Sequence, residues 1–314
     1  MASESRADAD SAVARRWTGR TRGGFIGNWI FVTLIRIAGL RSAYVLLVFV
    51  SFYYLFFAPK ALRATFDYRR RIAGGGGSVF ARYWWAWRHF YSFGQILLDR
   101  VAIMTQATGK FRLDFEGKDH FLDALKEGKG LIAITAHCGS WAAAAHLVGS
   151  AGVPVSIVAY EGEAEHIRRL FDRAFEGKSF RVIEIDGSPD TILAIRAALA
   201  RGEVVAMNGD RVAGARSVTV PFLGSGVAFP SGPHMVAALS GAPVIHSFMM
   251  REGAYHYRFC MFPAEHLSFD GSASRDKMIS KWTGAFASHL EEIVRRYPMQ
   301  WQNFYDFWGA DGKA

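Results

Sequence analysis

Leu131-Ile132-Ala133-Ile134-Thr135-Ala136-His137-Cys138-Gly139-Ser140-Trp141 decides the fold. Five apolar or β-branched residues without alternation predict a strand buried on both faces, as in a parallel sheet. The strand delivers His137 into a turn just before a helix. Similar runs recur at Leu131–Thr135, Val155–Ala159, Arg181–Ile185, Val204–Met207 and Val244–Phe248. Helical patterns lie between them, near 140–150, 162–175, 189–201 and 231–240. This alternation predicts an α/β domain, a mostly parallel central sheet covered by helices, whose site gathers at the carboxyl ends of strands.

The 314 residues are 51% hydrophobic, enough for one packed catalytic domain and an apolar extension. A net charge of +9 suits an anionic membrane surface, an acidic carrier protein or nucleic acid. No nucleic-acid motif occurs, and aromatic residues crowd the first hundred positions and the last twenty, which favours a membrane interface. Two cysteines, Cys138 and Cys260, argue against a disulfide framework and suit a reducing, cytoplasm-facing domain.

Ala43–Ala58 carries no charge and is somewhat short for a bilayer span; Phe25–Leu40 is apolar but holds Arg36. The predicted organisation is a basic N-terminus over 1–24, a membrane-associated helical segment over 25–73 and a catalytic domain over 78–310. Attachment is expected, by one span or by interfacial helices. Gly74–Gly77 reads as a joint, and the aromatic-rich helix from Val79 to Thr108 as mostly core.

His137 stands where a general base is useful, and the helix that follows favours developing negative charge. Neither a Gly-x-Ser-x-Gly elbow nor a Walker loop is present, and the four histidines between 234 and 266 have no metal-ligand spacing, so neither metal nor cofactor is expected. Cys138 lacks the sequence partners of a thiol nucleophile.

The His137-to-Trp141 turn resembles the His-x-x-x-x-Asp/Glu motif of the lipid A biosynthesis acyltransferases, within the lysophospholipid acyltransferase superfamily. Asn208-Gly209-Asp210-Arg211, Ser217 to Gly224, Pro230-Ser231-Gly232-Pro233, Gly241 to Val244 and Tyr297-Pro298-Met299-Gln300-Trp301 resemble later blocks of the family, in order. The resemblance implies transfer of a fatty acyl group from an acyl-carrier-protein or acyl-CoA thioester to a hydroxyl or amine of a lipid. It places the protein at the bacterial inner membrane, with His137 as base.

One position departs: the motif acid falls at 142, which is Ala142. Loss of that carboxylate implies an acyltransferase disabled by substitution or a natural non-catalytic lipid-binding relative. No nearby carboxylate is expected to replace it, since Glu161, Glu163 and Glu165 read as a solvated helix start. Asp210, Arg211 and Arg216 follow a strand end and are expected to bind substrate, the arginines through phosphate, although a surface Asp–Arg pair is the bland reading. Arg169 and Arg173 share a helix face that fits an acidic carrier. Ser140, Phe222 and Gly232 are candidates for lining the substrate site.

Overall fold

The computed structural model describes residues 25–105, 110–160, 180–185, 188–212 and 216–309. Four helices come first: α1 (Phe25–Ala38), α2 (Leu40–Phe57), α3 (Pro59–Ala73) and α4 (Val79–Thr105). Then follow β1 (Arg112–Glu116), α5 (Lys118–Lys126), β2 (Leu131–Thr135), α6 (Trp141–Ser150), β3 (Val155–Tyr160), β4 (Phe180–Ile185), α7 (Pro189–Ala200) and β5 (Val204–Asn208). The chain continues through β6 (Ser217–Phe222), β7 (Ser225–Pro230), α8 (Gly232–Ser240), β8 (Pro243–Gly253), β9 (His256–Met261), β10 (Glu265–His266) and α9 (Arg275–Arg296).

The main sheet has the order β1-β9-β8-β2-β5-β3-β4, with β10 beside β8. β2 lies between β8 and β5 and runs parallel to both. All five of its residues are buried, which explains its unbroken apolar run. The α/β class read from sequence holds. The antiparallel members are β9 and β10, each against β8, while β6 and β7 form a separate hairpin. The helix expected near 162–175 lies outside the described residues.

α2 is the one described helix long and apolar enough to cross a membrane. Its 18 residues reach about 27 Å at 1.5 Å per residue. Leu40, Ala43, Tyr44, Leu47 and Ser51 are buried along one face. That face runs antiparallel along α4: Phe52 stacks on Trp87 at 5.1 Å, and Leu47 fills the space that a side chain at Gly94 would need. The opposite face leaves Val45, Phe49, Tyr53 and Phe56 exposed, and α4 exposes Phe80, Tyr83 and Trp84.

α4 in turn grips the catalytic domain at two buried points. His89 Nε2 meets the Trp301 carbonyl at 2.8 Å. Asp99, fully buried, accepts from Arg251 Nε at 2.8 Å, from the Tyr257 hydroxyl at 2.7 Å and from the Tyr44 hydroxyl of α2. Helix α2, α4 and the sheet are thus tied through one carboxylate.

Candidate active site

Parallel register builds the site. Thr135 ends β2 opposite Asn208, which ends β5. His137 and Asp210 each follow two residues later, so neighbouring strands release them at the same level. Gly209 donates its N–H to the Thr135 carbonyl at 2.8 Å. A Cβ at Gly209 would approach Ile134 Cγ2 to 2.8 Å, which is why glycine separates the strand from Asp210.

His137 Nδ1 lies 2.8 Å from Asp210 Oδ1, and the His137 backbone N–H donates to Oδ2 at 3.1 Å. Trp301 Nε1 donates to the same Oδ2 at 3.2 Å. His137 is 7% exposed and Asp210 1%, so the pair is screened from solvent yet leaves the ring an edge. Burial pushes the Asp210 carboxyl up, but His137, Arg211 and Trp301 outweigh it and hold it below the ordinary carboxylate range. An ionised carboxylate only accepts hydrogen bonds, so it favours the imidazole tautomer with its proton on Nδ1.

The expectation that no carboxylate would replace the one missing at position 142 is therefore corrected. Asp210, 73 residues away in sequence, stands against the imidazole and is a buried partner of the histidine rather than a surface ion pair. Ala142 is itself buried in an apolar cluster with Ala145, Ile157 and Ala159, poor surroundings for a charge.

The turn is held from the C-terminal segment. Cys138 bridges Trp301, Gln302 N–H donates to the His137 carbonyl at 2.8 Å, and Gly139 N–H donates to the Gln300 carbonyl at 2.9 Å. Gly139 takes φ +59°, and a Cβ there would strike the Met249 carbonyl oxygen at 2.0 Å. The Cys138 thiol is fully buried, and burial raises its pKa well above the ordinary thiol value, removing it as a nucleophile.

Beside the dyad lies a narrow, mostly apolar recess. Thr135, Trp141 and Asn208 line it next to His137, and Val148, Ile157 and Met249 give it apolar walls. Ser140 is buried at the start of α6, and its hydroxyl has no hydrogen-bond partner among the described residues. Arg211 donates to the Gln302 carbonyl at 2.9 Å and lies over the Tyr305 ring. The Arg216 carbonyl accepts from Ser231, while its own residue surface is exposed.

Phe222 sits elsewhere: fully buried, it packs on Phe229, Trp301 and Phe307 behind the dyad and does not line the cavity. Gly232 opens α8 and is also outside that lining. Arg169 and Arg173, with Glu161, Glu163 and Glu165, lie outside the described residues. Trp301 and Asn208 were within recognised sequence blocks, but their contacts with the dyad follow from the fold alone.

Residues 82–309 match the family model described as bacterial lipid A biosynthesis acyltransferase. Among curated proteins, the chain is 27% identical over 206 residues to a phosphatidylinositol mannoside acyltransferase of Mycolicibacterium smegmatis, covering 64% of each chain. It is 26% identical over 198 residues to the protein of that name from Mycobacterium tuberculosis, covering 62% of this chain and 60% of the relative. The match thus spans a little under two thirds of either relative's length.

Proposed function

The chain belongs to the bacterial lipid A biosynthesis acyltransferase family, and on that premise we propose that it is an active acyltransferase in which Asp210 orients His137. The observation that carries this reading is the 2.8 Å contact between His137 Nδ1 and Asp210 Oδ1. His137 Nε2 takes the proton from an acceptor hydroxyl or amine as it attacks the thioester carbonyl, and the leaving thiolate recovers that proton. Asp210 stabilises the imidazolium formed in between. On this reading Ala142 is not disabling.

The acyl chain of the donor occupies the apolar cavity, with its thioester near Asn208 and His137. Acyl-carrier protein and acyl-CoA are both donors to test. The acceptor is a membrane lipid, and the names of the mycobacterial relatives put glycosylated phosphatidylinositol first among candidates. The exposed aromatic face of α2 and α4 supports attachment to the inner membrane from its cytoplasmic side, with α2 held against the domain.

The test is transfer of a radiolabelled acyl group from either thioester into a total membrane lipid extract. A labelled lipid formed by the protein and absent with His137→Ala supports the reading. Folded, membrane-bound protein that transfers from neither donor contradicts it and favours a lipid-binding relative without catalysis.

A further inference from the structure

Asn208 ends β5 at the mouth of the cavity, opposite Thr135. Its Nδ2 stands 3.5 Å from His137 Nε2. Because Asp210 fixes the imidazole proton on Nδ1, Nε2 presents a lone pair, and the carboxamide faces it with its NH₂ group rather than its oxygen. The contact is long for a hydrogen bond, and the two nitrogens stand close enough for one reacting carbonyl group to reach both from the cavity side.

A reaction at Nε2 needs a donor for the carbonyl oxygen that becomes negative. The amides of the catalytic turn are already committed. His137 N–H goes to Asp210 Oδ2, Cys138 N–H to the Ala136 carbonyl, Gly139 N–H to the Gln300 carbonyl and Ser140 N–H to the Met249 carbonyl. Asn208 Nδ2 combines a 3.5 Å approach to the base with a place in the cavity wall.

We propose that Asn208 is a second catalytic residue, whose Nδ2–H donates to the thioester carbonyl oxygen as acyl transfer proceeds. This rests on His137 acting as the base. The acceptor oxygen or nitrogen bonds to the carbonyl carbon while His137 Nε2 takes its proton. The C=O π pair moves to oxygen, where Asn208 holds it. Collapse re-forms the carbonyl, breaks the C–S bond and expels a thiolate that takes the proton back from His137. Asn208 keeps its own protons throughout.

The test uses the full chain with Asn208→Leu, similar in size but without a donor, and Asn208→Ala. Each is read by kcat, by donor KM and by affinity for a long-chain alkylphosphonate ester that mimics the tetrahedral intermediate. We expect kcat to fall by about 10²–10³ and phosphonate affinity to fall with it, with donor KM within about threefold. A variant that folds, by circular dichroism, and keeps kcat within about threefold overturns the proposal. So does loss of kcat with phosphonate affinity unchanged, which marks a purely structural role. His137→Ala is the separating arm: activity in that variant removes the base reading and the Asn208 proposal together, whereas inactivity there with active Asn208→Leu removes only the latter.

Discussion

Trp301 donates its indole N–H to the carboxylate oxygen of Asp210 that does not face the His137 ring, at 3.2 Å. Both oxygens of a buried anion are thereby satisfied, and the carboxylate cannot rotate without losing a partner. The same tryptophan pairs through its backbone with Cys138 and packs on Tyr68 and Phe222, so the dyad is clamped by the segment that follows α9.

Trp301→Phe removes that donor while keeping an aromatic ring. The lost hydrogen bond to a charged group corresponds to about 1.5–3 kcal/mol. Activity is expected to fall by roughly ten- to hundredfold at constant substrate binding, with a lowered Tm. Steady-state kinetics beside a thermal melt separate the two effects.

Arg251→Met takes the cation away from buried Asp99, whose pKa burial already raises and Arg251 lowers, and leaves it the two tyrosine donors among its described partners. Removing one member of a buried ion pair costs about 3–5 kcal/mol. A large loss of stability in urea unfolding is expected, and Asp99→Asn with Arg251→Met should recover part of it.

Acid destabilises the protein through its buried histidines. Burial lowers the pKa of His89 and of His234 from 6.5 to about 4, His89 despite its bond to the Trp301 carbonyl. The unfolded chain binds these protons first, so their contribution is fully present above pH 6.5 and is lost as pH falls from 6.5 through about 4. Unfolding free energy measured across that interval should decline, with a shallower slope in His89→Gln.

The exposed rings on α2 give a membrane test. Phe49 is 68% exposed and Phe56 76%. Replacing both by serine should weaken co-sedimentation with anionic lipid vesicles while leaving Tm nearly unchanged, because neither ring packs in the core.

β2 and β5 were readable because each carries a continuous apolar run, and β2 announced His137 at its end, whereas β1, β6, β7, β9 and β10, in which polar residues interrupt the apolar ones or the strand is very short, were not read. Asp210 was recognised as a site residue, but its partner was not. Sequence offset from a motif histidine finds only carboxylates on the same turn or helix, whereas Asp210 reaches His137 across a parallel strand pair. The equal two-residue offset of His137 from Thr135 and of Asp210 from Asn208 was the available signal, and using it requires knowing that β2 and β5 are neighbours. Phe222 was placed at the cavity by its apolar character, which in fact serves the core behind Trp301. The packing of α2 along α4 was hidden because an apolar helix reads the same way whether lipid or protein covers it.

The most direct measurement compares kcat/KM for acyl transfer by the protein as it stands, by Asp210→Asn and by Ala142→Glu. Asp210 as the orienting group predicts an active protein, a fall of about 10²–10⁴ in Asp210→Asn and no gain from Ala142→Glu. An inactive protein that Ala142→Glu switches on, with Asp210→Asn in that background still active, would contradict it.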